Sequence, residues 1–253
     1  MVAIVSCLIL TAMKIIILAA GAGRRLRPLT DNLPKCLVKV GGKAIIDYQM
    51  ENLRQVGLNE IIVVIGFCGE QIINHLTKGY PDFNFTFIEN PDYASTHPAH
   101  SLWMVRDHLA SNVMYLNADV ICDPKIIKRI VDDPRPTVTA VQQTPWDEEE
   151  VNVVVDQEMR VLEMGKHISK ELSYGEFIGV TKIAAAFNKT LTQVLQDFFD
   201  HNEFRKFAAD ALNLSIQRGE TMYALDVSDV AAIEIDTPED LEDAHHKLAL
   251  ITW

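Results

Sequence analysis

The chain has 253 residues, 48% of them hydrophobic and 23% charged, enough apolar material for one large α/β domain with an ample core. Its formal net charge of −12 argues against wholesale binding to nucleic acid or to an anionic membrane, because the basic residues that would neutralise phosphates are outnumbered. Four cysteines, Cys7, Cys36, Cys68 and Cys122, lack disulfide-framework or zinc-ligand spacing, so a reduced, cytoplasmic setting is expected, with Cys68 and Cys122 as buried small hydrophobes.

Residues 2–20 are apolar enough to mimic a leader or a membrane span, but they lack a basic start, Lys14 interrupts them, and they flow straight into a glycine loop. Residues 1–12 are therefore read as an N-terminal extension and 13–253 as the domain, with no membrane span. The β-branched run 14–18 predicts a strand buried on both faces of a parallel sheet. Helical spacing of Ile45, Ile46, Met50, Leu53 and Val56 predicts a helix over 43–56, stopped by Gly57. A strand at 61–65, a short helix at 70–76 and a strand at 83–88 follow. This β-α-β-α-β order predicts a parallel sheet with right-handed crossovers, whose ligands bind at the carboxyl ends of the strands.

Residues 101–109 read as a helix and 113–117 as a strand that ends at Ala118-Asp119-Val120. Apolar runs at 138–141, 151–155 and 161–162 come next, with the acid run 147–150 between them read as a solvated turn. Residues 175–180 predict a strand, 191–214 a helix, and 231–236 a strand. Thr237 then suits an N-cap and Pro238 a first helical residue, which places Asp236 at a strand-to-helix junction.

The segment 18–35, LAAGAGRRLRPLTDNLPK, carries the strongest chemical signal. Gly21 and Gly23 predict positive φ and a nest of outward amide N–H groups suited to an anion. Arg24, Arg25, Arg27 and Lys35 add charge, and Pro34 stiffens the loop that presents the lysine. The spacing is neither the GxxxxGKS/T of a P-loop nor GxGxxG, so a dinucleotide fold is a poor fit. In an acidic protein so local a cationic cluster points to a small anionic ligand, a polyphosphate.

GAGRRLRPLTDNLPK is similar to the signature GxGxRLxPLTxxxPK of the nucleotidyltransferases that activate sugar phosphates and phospho-amino-alcohols, and the similarity runs on through LVKVGGKAIIDYQMENL. Arg24 stands where that family usually has Ser or Thr. The resemblance implies a single-domain, Rossmann-like, mostly parallel sheet flanked by helices, with Mg2+ as cofactor. It implies that Leu18, Ala19, Ala20, Gly21 and Gly23 contact the nucleotide, that Arg25 faces the β- and γ-phosphates, and that Lys35 stabilises charge at the α-phosphoryl group. His100 and Ser101 occupy places where relatives touch the nucleotide. The YLNADV and EIDTPEDL segments match those carrying the two metal-binding aspartates, here Asp119 and Asp236. Carboxylates at such positions suit magnesium, which prefers oxygen ligands; Glu234, one pleat back on the same face as Asp236, is the weaker candidate.

Residues 89–105 are similar to bacterial choline-phosphate cytidylyltransferases, and GEFIGVTK at 175–182 to cytidylyltransferases acting on aminoethylphosphonate. Both resemblances imply CTP as the nucleotide and a phosphorylated or phosphonylated acceptor that carries an amine. Tyr93, Trp103, Tyr174 and Glu176 would then build its cation pocket from ring faces and one carboxylate. Two other readings stay open, a sugar-1-phosphate nucleotidyltransferase using UTP or dTTP and a non-catalytic nucleotide-binding regulatory subunit. Homo-oligomerisation is left open too.

Overall fold

The computed structural model describes residues 13–251, so Cys7 and the extension read at 1–12 lie outside the described residues. β1 (Lys14–Ala19) starts the main sheet, with Ile15, Ile16 and Ile17 fully buried, as a β-branched run covered on both faces requires. A hairpin of β2 (Lys39–Val40) and β3 (Lys43–Ala44) leads into α1 (Ile45–Gln55), followed by β4 (Glu60–Ile65), α2 (Gly69–Gly79) and β5 (Asn84–Glu89). Next come α3 (Pro98–Met104), β6 (Val113–Asn117), β7 (Val120–Cys122) and α4 (Pro124–Asp132). The second half runs β8 (Val138–Gln142), β9 (Asn152–Val155), β10 (Val161–Gly165), β11 (Gly175–Ile183), α5 (Ala185–Asp200), α6 (Ala208–Gln217), β12 (Tyr223–Asp226), β13 (Ala232–Glu234) and α7 (Pro238–Lys247).

β5, β4, β1 and β6 pair in parallel in that order, with Ile15 opposite both Ile61 of β4 and Met114 of β6. Past β6 the sheet changes character. β11 runs antiparallel to β6 and β8, β12 lies parallel to β8, and the β9–β10 hairpin pairs with the start of β11. The result is a mixed sheet with a parallel half. Alternation along β1 sends Ile15 and Ile17 into a core shared with α1, α2 and α4, and Ile16 into one shared with α3, α5 and α6. Helices therefore cover both faces, in one α/β domain.

Three expectations change on folding. The helix read at 191–214 is two helices, α5 and α6. Asn202 takes a left-handed φ of 58° and the Glu203 N–H bonds back to the Phe198 carbonyl at 2.8 Å, a helix-stopping turn that periodicity does not reveal. The helix read at 101–109 starts earlier, at Pro98, and gives way to a 3₁₀ turn at Arg106–His108. The strand read at 231–236 shortens to β13 and leaves the main sheet, pairing antiparallel with β7 instead.

A small third core lies beneath that β7–β13 ladder. Leu26, Val40, Ile45, Ile121 and Ile235 are fully buried in it, joining the glycine loop, β2, α1, β7 and the chain entering α7. Removing each such side chain from water contributes roughly 1.5–3 kcal/mol, so this core holds the loop against the two strand ends that carry the acids.

Gly179 in β11 has φ +71°, and a Cβ there would lie 2.5 Å from Asn117 Nδ2, at the end of β6. Gly179→Ala is expected to cost roughly 2 kcal/mol or more of unfolding free energy, measured by urea denaturation, since it adds both backbone strain and overlap.

Candidate active site

At the carboxyl end of β1 the chain turns into the glycine loop and a 3₁₀ turn at Arg24–Leu26. Only Gly23 has positive φ, at +55°; the positive φ read for Gly21 is not found, because a single reversal is enough to start the turn. Gly23 also permits a close approach. A Cβ there would lie 3.0 Å from Lys35 Cβ and 3.2 Å from Thr30 Cγ2, while Thr30 Oγ1 donates to the Gly23 carbonyl at 2.6 Å. The loop is thereby pinned beside the lysine that follows Pro34.

Two helix side chains hold Asp119 in place. Gln49 Nε2, buried on α1, donates to the carbonyls of Asn117 at 2.7 Å and Val120 at 2.9 Å, clamping the turn that carries Asp119. Asn52 Nδ2, one helical turn on, donates to the Cys122 carbonyl at 2.8 Å. Both escaped the sequence reading, although amides on the apolar face of 43–56 are a signal, since buried amides require partners. Asp236 arrives by the β7–β13 pairing, in which Glu234 sits opposite Val120 and the Ile235 N–H donates to the Asp119 carbonyl at 3.1 Å. Thr237 caps α7 as expected, and Asp240 reciprocates by accepting from the Asp236 and Thr237 N–H groups at 2.9 and 2.7 Å. The Asp236 carboxylate is thus left free of capping duty.

The cations meet the acids directly. Lys35 Nζ donates to Asp119 Oδ2 at 2.7 Å and to Asp236 Oδ1, and the Arg25 guanidinium donates to Asp236 Oδ2. Burial alone would pull the Lys35 ammonium down; the charges and hydrogen bonds of Asp119 and Asp236 more than reverse this and hold it charged. Asp119, Glu234 and Asp236 bring carboxylate oxygens within 4.8 Å of one another. Asp119 Oδ1 is buried without a hydrogen-bond partner. Glu234, read as the weaker candidate, therefore stands in the same cluster. Its carboxyl is pushed well up, first by burial and then by the charges of Asp119 and Asp236.

Leu18, Ala19, Gly21, Gly23, Arg24, Arg25, Lys35, Asp119, Glu234 and Asp236 share one cavity of about 390 Å³. The same cavity is also lined by residues the sequence reading did not assign to it, Glu150, Val151, Lys166 and Phe177, with Phe207, the N-cap of α6, and Ala208 and Ala209 in its first turn. Ala20 and Ser101 are not on the wall. The Ala20 carbonyl accepts from the Phe67 N–H at 3.0 Å; Ser101 is buried inside α3, where its Oγ accepts from Asn90 at 3.1 Å, and His97 takes the N-cap position. His100 packs on Trp103 and Phe199, with ring centroids 5.5 and 6.1 Å away.

The residues read as an acceptor pocket are dispersed. Trp103 stacks on Phe199 at 3.8 Å, Tyr93 lies against Phe67 at 6.2 Å, and the Tyr174 hydroxyl donates to Asp226 at 2.7 Å. None of the three borders the cavity, because their rings are taken up by packing. Glu176 lines an adjoining cavity of about 240 Å³ that shares Glu150, Glu234 and Asp236 with the first. Alternation along β11 turns Phe177 into the main cavity and Glu176 to the other side. Among the described cysteines Cys36 and Cys122 are buried, with burial first pushing each thiol up to about 12; Cys68 is only half-buried, its backbone in the left-handed turn before α2.

The acid run 147–150 is a turn, as read, yet Glu150 leaves solvent for the cavity wall. Burial, and next the charge of Glu176, push its carboxyl up to about 7; Asp236 and Asp147 act in the same direction and Lys166 opposes them. Between its ordinary value of 4.5 and about 7 the folded chain retains a proton that the unfolded chain has released, so this group's contribution to stability falls as pH rises through that window. Glu150→Gln is therefore expected to raise Tm more at pH 8 than at pH 5, in thermal melts with a chelator present.

A cationic glycine loop at the carboxyl end of β1, set against one carboxylate that follows β6 and two from the end of β13, is the arrangement of an enzyme of nucleotidyl transfer. The chain belongs to the nucleotidyl transferase family, whose match covers residues 14–165 and so takes in the loop and Asp119. Over 107 residues it is 42% identical to choline-phosphate cytidylyltransferase of Streptococcus pneumoniae, a stretch that makes up 42% of this chain and 44% of that protein. It is 28% identical over 244 residues to UTP–glucose-1-phosphate uridylyltransferase AglF of Haloferax volcanii, covering 93% of this chain and 96% of that one. The solved CTP:phosphocholine cytidylyltransferase from Streptococcus pneumoniae matches with a TM-score of 0.79 at 26% identity, over 94% of this chain and 99% of that chain. Among the described residues no helix is long and apolar enough to cross a membrane.

Proposed function

We propose that the chain transfers the cytidylyl group of CTP to a phosphorylated or phosphonylated amino-alcohol and releases pyrophosphate, with Mg2+ as cofactor. The observation that carries this reading is the convergence of Arg25, Lys35, Asp119 and Asp236 on one cavity at the carboxyl end of β1. A binding-only regulatory subunit would have no need to retain all four. The likeness to cytidylyltransferases in sequence and structure supports CTP and an amine-bearing acceptor.

The donor set suits a hard divalent ion. Three carboxylates converge, and the orphaned Asp119 oxygen has a lone pair to offer. Asp119, Asp236 and Glu234 would hold the ion. Bound there, it supplies positive charge to phosphoryl oxygens.

The loop residues perform the rest. Amides at Gly21 and Gly23 with the guanidiniums of Arg24 and Arg25 bind and orient the β- and γ-phosphates. An acceptor oxygen attacks the α-phosphorus, a new P–O bond forms, the bond to the β-phosphate oxygen breaks, and pyrophosphate leaves with that electron pair. Lys35 neutralises charge that accumulates on the α-phosphoryl oxygens, an interaction worth more in the transition state than in the ground state. No general base is needed, since a phosphate monoester with a second pKa of about 6 is largely dianionic at neutral pH.

A pyrophosphate-release assay with CTP, UTP and dTTP against phospho-amino-alcohols, aminoalkylphosphonates and hexose 1-phosphates tests the proposal. The full-length likeness to a uridylyltransferase for glucose 1-phosphate makes the sugar reaction the second reading. Turnover confined to hexose 1-phosphates would establish it in place of the first, and CTP binding without turnover of any acceptor would leave the regulatory role.

A further inference from the structure

Resting on the transfer reaction proposed above, we propose that Glu150 selects the acceptor by pairing with an ammonium group that bears N–H bonds. Glu150 lines the same cavity as Lys166, Phe177 and the glycine loop that would hold the triphosphate. Among the described residues its carboxylate accepts no hydrogen bond and forms no ion pair, whereas Asp147 in the same turn caps the Glu149 N–H at 2.8 Å. The nearby cations are engaged elsewhere. Lys35 holds Asp119 and Asp236, and Lys166 Nζ donates to the Glu149 carbonyl.

Glu150 also has carboxylates of Glu176 and Glu234 within 4.8 Å, so the local field favours an incoming cation. The form of that cation follows from hydrogen bonding. Half-buried carboxylate oxygens without donors gain most from a ligand that supplies N–H groups, since hydrogen bonds to charged groups are the strong ones. A quaternary ammonium offers none and is held by ring faces. The rings of Trp103, Tyr93 and Tyr174 do not border the cavity, and those that do are already partnered: Tyr115 and Phe177 stack with centroids 6.5 Å apart, and Lys166 Nζ lies over the Phe207 ring at 5.5 Å.

The test uses the full chain with CTP and three acceptors, ethanolamine phosphate, its N,N,N-trimethyl counterpart phosphocholine, and ethyl phosphate, which lacks the amine. The expected kcat/KM for ethanolamine phosphate exceeds that for phosphocholine by about tenfold or more. In E150Q the ratio of kcat/KM for ethanolamine phosphate to that for ethyl phosphate falls about tenfold or more, mainly through KM. An unchanged ratio in E150Q, or a wild-type preference for phosphocholine, overturns the assignment while leaving cytidylyl transfer in place. A second Mn2+ per chain, seen by electron paramagnetic resonance in the wild type and lost in E150Q, also overturns it, by making Glu150 a metal ligand. Turnover of hexose 1-phosphates alone overturns the transfer reaction itself.

Discussion

Lys35→Ala is expected to lower turnover at least about a hundredfold, read by pyrophosphate release at saturating CTP. The ammonium lies where the two aspartates meet, in the cavity that also holds the glycine loop, and it stays charged there. Removal of a single group that stabilises transition-state charge costs a factor of 10²–10³, about 3–4 kcal/mol. The variant also leaves Asp119 and Asp236 facing each other without their cation, so its Tm should fall. Circular dichroism and a melt in the same buffer separate that loss from the catalytic one, because the fall in rate must appear well below the transition. A near-normal rate in a folded variant would remove Lys35 from the chemistry.

Asp119→Asn should fall by a similar factor, again at least about a hundredfold, and should weaken divalent binding. The amide keeps the shape of the side chain, and the bonds that place this turn are made by backbone carbonyls, from Gln49 to Asn117 and Val120 and from Ile235 to Asp119 itself. The fold is therefore expected to survive while a charged oxygen ligand is lost. Mn2+ titration followed by electron paramagnetic resonance reads the second effect without any turnover. Wild-type Mn2+ affinity in this variant would take Asp119 out of the ion's ligand set, whatever the rate.

Much of this arrangement is legible in the residues themselves. An isoleucine run, a glycine loop with its arginines and a proline-set lysine announce the strand, the turn and the cation, since each depends on local chemistry. Asp119 and Asp236 were readable from local pattern as strand-end acids, but their meeting was implied only by the family resemblance, because it depends on the β7–β13 ladder, which no local pattern encodes. The rest of the cavity lining was harder still. Glu150 sits in an acid run that looks solvated, and Phe207 caps a helix that periodicity merged with the preceding one. The aromatic acceptor pocket misled for a related reason. Trp103 and Tyr174 satisfy each criterion for a cation cage by residue type, yet core packing competes for the same rings and wins.

The ion pairs between Lys35 and Asp236 and between Arg25 and Asp236 join residues 201 and 211 positions apart. A ribosome must deliver the chain as far as Asp236 before this cluster exists, and a refolding molecule must close long loops to recreate it. Regain of activity after dilution from denaturant should consequently trail the return of helical signal, which makes enzymatic rate a sensitive gauge of the last tertiary contacts to form.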